Sequence, residues 1–336
     1  MRVLRYIGRR MLFIVPQLVG IVLVSFLLVK MIPGDPAVMM VGPMASAETL
    51  AKLRTELGLD GSIMYQFWIY LTNLVQGDLG TSWQTTRPVL NDLFVRFPAT
   101  LELITLSLLL ALLIGIPLGV AAAYFRRSVV KKFSDYYGLL AGALPDFWLG
   151  MILIYFFYTI FQIAPAPLGR IGFAVMTPSP VTNFLIIDCI LEGNWQALWS
   201  TLGHLILPVV TLGVITAGPI LKMTQSTMER MLESDFIRYA DMCGLPKSVV
   251  IRQAFRNSLP SIVTIVSVLY GFLVGGAVLV EIVFSWGGAG QYAVQGVLNA
   301  DINPVLGFVL FSAVLSLIIY LIVDLIYFAI DPRIRG

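Results

Sequence analysis

Six long apolar stretches follow one another along the chain, separated by more polar segments. They cover residues 11–32, 100–124, 136–161, 204–223, 260–284 and 304–330. Because roughly 20 apolar residues in an α-helix cross the hydrocarbon layer of a bilayer, each stretch is long enough to span it. The pattern predicts an all-α integral membrane protein with six transmembrane helices.

The first stretch follows four arginines and could be mistaken for a secretory signal. Its apolar part is longer than that of a usual signal, and no small-residue cleavage site follows it before residues 33–36. We interpret it as a retained span. Four prolines are expected to kink or locally unwind the helices that contain them, namely Pro16, Pro117, Pro145 and Pro219.

The composition excludes several classes of protein. Hydrophobic residues make up 58% of the 336 residues and charged ones only 12%, against about 25% charged in soluble domains. The net charge of +3 offers no broad basic face for nucleic acid. Two distant cysteines, Cys189 and Cys243, and one histidine, His204, match no disulfide framework or zinc spacing, so no metal site is predicted.

The Lys and Arg residues orient the spans. Four lie in residues 1–10, four in residues 125–135, six in residues 222–256 and two in residues 331–336. These are 16 of the 22 cations, and all fall on one side if the spans alternate. The positive-inside rule then places both termini in the cytoplasm.

Three segments lie outside in this topology, residues 33–99, 162–203 and 285–303. The first is long and contains a predicted helix at residues 46–57, with Leu50, Leu53 and Leu57 on one face, followed by several aromatic residues. We expect it to form a small folded cap that can meet a soluble partner.

One inner segment, residues 224–259, is long enough to carry a function. Ser234 or Asp235 can cap a helix whose apolar face holds residues 236, 239, 240 and 243, and Gly244 fits the left-handed position that ends it. A second amphipathic helix is predicted at residues 248–257. Such a short helix could plug into a groove on another protein or rest on the membrane surface, and the pattern leaves both open.

The chain lacks the motifs of the common catalytic sites. It contains no Gly-Lys pair for a phosphate-binding loop and no Gly-x-Ser-x-Gly. We expect no catalytic residue and no bound cofactor, so any ATP-driven work belongs to a separate subunit. Asp146 and Glu281 lie near span kinks or ends and are candidates for lining a pathway, with structural pairing as the alternative. Gly271 and Gly275 allow close approach of another helix.

Seven short motifs then occur in order along the chain. They are MIPGDP at 31–36, GDLGTS at 77–82, RFPATLEL at 96–103, LPDFWLG at 144–150, HLILP at 204–208, FSWGGAG at 284–290 and DPRIR at 331–335. With them the chain resembles the B-type permease subunit of dipeptide/oligopeptide ABC importers from end to end. The resemblance implies a type I ABC importer permease fold, with the ABC transmembrane type-1 domain over residues 100–330.

The resemblance also implies partners and a location. A homologous second (C-type) permease, two ABC ATPase subunits that use ATP and Mg, and an extracytoplasmic substrate-binding protein would join this chain in the inner membrane of a bacterium or archaeon. Peptides are the family's commonest cargo, and nickel chelates, glutathione and oligosaccharides are carried by close relatives. From the residues alone, an ion-coupled secondary transporter or a membrane scaffold remain alternatives; the former would predict paired intramembrane charges.

The inner segment is similar to the family's EAA coupling loop, which docks in a cleft of the ATPase. The residues assigned to coupling are Phe236, Ile237, Arg238, Tyr239, Ala240, Gly244, Leu245, Arg252, Arg256, Asn257 and Pro260. The sequence departs from the family at Tyr239 and at residues 241–243, where a Thr-Ala-Arg-Ala-Lys-like run is usual, and at Gly287, where proline is usual.

Overall fold

The computed structural model describes residues 16–27, 36–42, 44–56, 60–299 and 301–330. Within these residues the regular secondary structure is helical, and the one strand-like feature is an isolated bridge between Thr81 and Pro88. The helices are α1 (Pro16–Leu27), α2 (Pro36–Val41), α3 (Ala47–Glu56), α4 (Ile63–Val75), α5 (Val89–Tyr124), α6 (Val129–Ala143), α7 (Asp146–Leu153) with a following π-helix (Ile154–Ile160), α8 (Leu185–Glu192), α9 (Trp195–Leu232), α10 (Asp235–Met242), α11 (Lys247–Val283), α12 (Ala289–Leu298) and α13 (Ile302–Ile330).

Four of the described helices are long and apolar enough to cross a membrane. These are α5, α9, α11 and the first 22 residues of α13. They cover the second and fourth predicted spans, all but one residue of the fifth and most of the sixth, which confirms a multi-pass helical membrane protein. The first predicted span lies partly outside the described residues, and its described part is the 12-residue helix α1.

The third predicted span, residues 136–161, is not one straight helix. Helices α6 and α7 are long and apolar enough to cross a membrane only when they are taken together, and they meet at an angle of 103°. Leu144 and Pro145 are both extended, with ψ of 131° and 135°. The residue before a proline avoids the helical region, and proline itself cannot donate the next hydrogen bond. Pro145 therefore breaks the span, as predicted, whereas Pro117 and Pro219 lie inside helices that continue past them.

The long helices extend well beyond the apolar stretches that predicted them. Helix α9 begins nine residues before the predicted fourth span and continues to Leu232. The predicted second inner helix at 248–257 is not separate, because it is the first part of α11, which runs through Pro260 without interruption. By contrast, the predicted outer helix at 46–57 corresponds closely to α3.

The chain divides into two compact units. Met1–Phe97 with Ala289–Leu317 forms the first, and Pro98–Gly288 with Ile318–Gly336 forms the second. In the first unit, Asp301 is buried and its carboxylate accepts hydrogen bonds from the Ser82 hydroxyl (2.6 Å) and from the backbone N–H of Trp83 (2.8 Å). The GDLGTS motif is thus fixed against the start of α13.

The second unit is organised around α9, which packs against α6, α7, α8, α10 and α11. Helix α5 comes close to α9 through Gly115 and Gly119, because a Cβ atom at these positions would lie 2.9 Å from the Ala217 carbonyl oxygen and 2.8 Å from that of Leu221. Small residues four apart allow this backbone approach inside a membrane, where apolar burial alone gives little driving force.

Candidate functional site

Helix α10 lies between α9 and α11 with one side buried and the other open. Ile237 is only 2% exposed and belongs to an apolar cluster with Met228, Val250 and Ala254. Ala240, one turn later, packs against the same cluster. The buried side therefore fixes α10 to the body of the second unit and leaves the remaining residues free to meet another molecule.

The open side of α10 is aromatic and apolar. Phe236 is 47% exposed, Tyr239 71% and Met242 85%. Helical spacing of three residues places these side chains together. Large apolar side chains held outward on a rigid helix are typical of a surface that docks in a groove of a partner.

The end of α10 has the geometry that the sequence predicted. Gly244 adopts φ of +74°, and a Cβ atom there would meet nothing within 4 Å. The backbone N–H of Leu245 donates to the Ala240 carbonyl (3.2 Å), and that of Gly244 donates to the Asp241 carbonyl (2.9 Å). These two bonds form a Schellman motif. The Ser234 side chain, by contrast, makes no capping bond to α10; its hydroxyl donates to the Met231 carbonyl.

Ion pairs fix the helices next to α10. The Arg126 guanidinium contacts the Glu233 carboxylate at 2.5 Å and donates to the Glu229 carbonyl at 3.2 Å, and Glu233 ends α9 just before α10 begins. Lys131 pairs with the Glu229 carboxylate at 2.8 Å. These ion pairs could not be predicted, because residues about 100 positions apart in sequence leave no local signal.

A cleft of about 380 Å³ opens beside α10. Its floor is apolar and includes Ile237 and Val250, and charged side chains of both signs surround it. The charged residues of its lining are Arg126, Glu233, Arg238, Asp241 and Lys247. From α10 itself the cleft is lined by the buried Ile237 and by the charged Arg238 and Asp241.

The remaining residues assigned to coupling lie along the first turns of α11. Arg252, Arg256 and Asn257 are exposed, and Pro260 is half-buried. The Asn257 amide donates to the Gln253 carbonyl at 2.8 Å. The structure therefore brings α10 and the start of α11 into one surface, with Ile237 as its buried support.

The two candidates for lining a pathway occupy different environments. Glu281 has no exposed surface, and its carboxylate accepts a hydrogen bond from the Thr100 hydroxyl at 2.5 Å. Asp146 is half-buried in the first turn of α7, and its carboxylate accepts the backbone N–H of Phe147 at 2.8 Å. Of the two, Asp146 is the one with surface left to offer a passing molecule.

Glu281 belongs to a buried polar cluster that joins two of the sequence motifs. The Trp286 indole N–H donates to the Ala99 carbonyl at 3.0 Å. Nearby, Arg170 forms an ion pair with the buried Glu102 carboxylate, which also accepts the backbone N–H of Ile186 at 2.9 Å. The sequence predicted Arg170 only as a cation of an outer segment and did not predict this ion pair. The one signal for it was Glu102, an acid within a predicted span that needed a partner.

Comparison with known proteins identifies two matching family models. The model for the binding-protein-dependent transport system inner membrane component matches residues 115–336, and the model for the N-terminal part of such membrane components matches residues 3–104.

Curated relatives match over nearly the whole chain. A probable D,D-dipeptide transport system permease of Escherichia coli is 40% identical over 319 residues, which is 94% of each chain. The dipeptide transport system permease of the same organism is 37% identical, and the glutathione transport system permease of Salmonella paratyphi A is 34% identical, each over 99% of both chains. This chain therefore belongs to the family of binding-protein-dependent transport system inner membrane components.

Proposed function

We propose that this chain is the permease subunit of an ATP-driven ABC importer of di- and oligopeptides, a transport component and not an enzyme. The observation that carries this function is the near full-length similarity to permeases named for dipeptide transport. The outward aromatic side of α10 supports it, since a permease of this kind must receive the motion of a separate ATPase.

The partners of the chain are a homologous C-type permease, two ABC ATPases and an extracytoplasmic substrate-binding protein. ATP and Mg belong to the ATPases in this proposal. The open position above Gly275 on α11, where a Cβ atom would meet nothing within 4 Å, supports contact with the second permease or with the pathway. The second permease would complete that pathway.

In the membrane the chain forms six spans, with both termini in the cytoplasm of a bacterium or archaeon. The 16 cations on one side of the predicted spans support this orientation. It places α10 on the inner face, where ATPases bind, and the segment containing α3 and α4 on the outer face, where a binding protein delivers its cargo.

Within the coupling surface the residues divide by exposure. Phe236, Arg238, Tyr239, Leu245, Arg252, Arg256 and Asn257 are exposed and would contact the ATPase. Ile237 and Ala240 anchor α10, Gly244 turns the chain, and Pro260 lies where α11 enters the membrane. ATP binding would close the ATPases, displace α10 and turn the spans outward; hydrolysis would reset them.

The relatives share one transport mechanism but are named for different cargoes, so they define the cargo of this chain less closely than its mechanism. The glutathione permease in the comparison favours a second candidate, transport of glutathione by the same mechanism. Nickel chelates and oligosaccharides are the other cargo alternatives. An ion-coupled secondary transporter is the alternative of another class, and it predicts uptake that survives ATP depletion but collapses with the proton gradient.

The test uses the assembled complex in proteoliposomes with Gly244→Val. Valine at φ of +74° costs about 1–3 kcal/mol and displaces the end of α10. We expect ATP hydrolysis to continue while peptide uptake per ATP falls severalfold. The matched control is Gly193→Val, because Gly193 ends α8 with φ of +69° and equally open surroundings, but on the predicted outer side.

Two results would reject the proposal. One is uptake in the unmodified complex that does not depend on ATP. The other is a Gly244→Val complex whose uptake per ATP equals that of the Gly193→Val complex.

A further inference from the structure

The segment that joins α5 to α6, residues 125–136, keeps positive charge that no acid neutralises. Its four cations are Arg126, Arg127, Lys131 and Lys132. Two of them pair with glutamates at the end of α9, and the one acid of the segment, Asp135, is held by Lys222 at 2.8 Å. Among the described residues, no acid pairs with Arg127 or Lys132, and both are exposed.

Large apolar side chains alternate with these two cations. Phe125 precedes them, and Val129, Phe133 and Tyr136 lie with Lys132 on one side of α6 by helical spacing. All four apolar or aromatic side chains are more than half exposed. The other side of α6 packs against α9. The exposed side therefore has no partner helix in the described part of the second unit.

The exposed side of α6 belongs to a segment that crosses the membrane together with α7. Apolar side chains on the outside of such a segment contact lipid, and cations at its end extend to the level of the headgroups. The leading N–H groups of α6 lack intrahelical acceptors and add partial positive charge there. Exposed cations beside exposed apolar side chains match an anionic amphiphile, which carries both complementary groups.

The combination distinguishes this segment from a merely basic surface. Arg230 on α9 is also exposed and also unpaired among the described residues. No large exposed apolar side chain lies within four positions of it along the chain. Arg230 therefore offers charge alone and serves below as the matched control.

We propose that residues 125–136 bind an anionic phospholipid. Arg127, Lys132 and the first turn of α6 hold the headgroup phosphate, and Phe125, Val129 and Phe133 contact the adjoining part of the acyl chains. This site goes beyond the proposed function, because it does not depend on the cargo or on the ATPase. It assigns to the two unpaired cations the counter-ion that the described residues do not supply.

The test is photocrosslinking of the full chain, with the partners that co-purify with it, in nanodiscs of phosphatidylcholine. A trace of phosphatidylglycerol with a diazirine near its glycerol is compared with phosphatidylcholine of the same design. Mass spectrometry then identifies the labelled peptides. We expect residues 125–136 to be labelled at least about fivefold more by phosphatidylglycerol, because one cation favours an anionic headgroup by about that factor.

Three variants locate the site. Arg127→Gln combined with Lys132→Gln should lower phosphatidylglycerol labelling to the level of phosphatidylcholine. Arg127→Lys combined with Lys132→Arg preserves both charges and should keep the preference, and so should Arg230→Gln. A preference that survives in the glutamine pair would overturn the proposal. Its loss in Arg230→Gln would do the same, since it would show an effect of overall charge.

A protein partner is the competing occupant of this surface. Labelling of residues 125–136 is therefore also measured in membrane vesicles before and after urea removes peripheral proteins. We expect equal labelling by phosphatidylglycerol in both preparations. Labelling that appears only after the wash would assign the segment to a protein interface and overturn the proposal.

Discussion

Trp286 donates its indole N–H to the backbone carbonyl of Ala99, a residue 187 positions earlier in the chain. Both groups are buried. The bond joins the turn after α11 to α5, and it lies beside the hydrogen bond between Thr100 and Glu281. Two motifs far apart in sequence are therefore parts of one polar cluster.

Trp286→Phe should destabilise the chain by about 1–3 kcal/mol, because it leaves the buried Ala99 carbonyl without this donor and also removes apolar volume. Thermal unfolding of the purified chain in detergent measures the effect. Trp148→Phe is the control, because Trp148 is substantially exposed and its replacement removes fewer buried contacts. An unfolding temperature of Trp286→Phe that matches the control would contradict this prediction.

The two sides of α10 should respond differently to truncation. Ile237→Ala opens a cavity in the apolar cluster and should cost about 2–4 kcal/mol of stability. Tyr239→Ala removes an exposed side chain and should change stability by less than about 0.5 kcal/mol. Binding of the ATPases, measured by co-purification, should weaken severalfold in Tyr239→Ala.

Stability and ATPase binding are measured on both variants, so that each serves as the control of the other. A Tyr239→Ala chain that keeps full ATPase binding would show that the exposed side of α10 is not the docking surface.

Tyr292 should contribute to stability in a pH-dependent way. Burial raises the pKa of Tyr292 to about 12 from 10.0, and its hydroxyl donates to the Asp92 carboxylate at 2.9 Å. Because the folded state holds this proton more tightly than the unfolded state, the stabilisation is complete below pH 10 and declines as the pH rises toward 12.

The measurement is the difference in stability between the unmodified chain and Tyr292→Phe as a function of pH. We expect a difference of about 1 kcal/mol at pH 8 and a smaller one at pH 11. A difference that is constant over this range would show that the hydroxyl does not ionise differently in the two states.

The two cysteines should react with a thiol reagent at very different rates. Cys243 is exposed beside the end of α10, whereas Cys189 is buried and burial raises the pKa of its thiol. Since the thiolate is the reactive form, a maleimide should modify Cys243 at least about tenfold faster. A membrane-impermeant maleimide should reach it only in inverted vesicles, and bound ATPases should protect it.

Cys243→Ser serves as the control, since it should leave little rapid labelling. Rapid labelling of Cys243 in right-side-out vesicles would contradict the cytoplasmic placement of α10.

The pattern of apolar residues predicted where the membrane helices lie but not where they end. Hydropathy detects the residues that face lipid, whereas a helix continues as long as its backbone bonds are satisfied. In α9, Thr224 and Gln225 are polar yet buried against protein, so the helix runs past the apolar stretch. Short-range signals such as Gly244 and Pro145 were predicted correctly because their causes are local.

The parts of the site that could not be predicted depend on contacts between distant segments. The pairing of Arg126 with Glu233 joins residues 107 positions apart, and the hydrogen bond between Thr100 and Glu281 joins residues 181 positions apart. Neither relationship has a periodicity or a spacing that a single sequence displays.

The continuity of α11 has a mechanical consequence. Its 37 residues form one rod about 55 Å long, which starts three residues after Gly244 and carries Glu281 near its far end. Because a helix resists bending, a tilt of about 5° at one end displaces the other end by about 5 Å. Small rotations of the end beside Gly244 are thereby magnified into movements of several ångströms at the end beside Glu281.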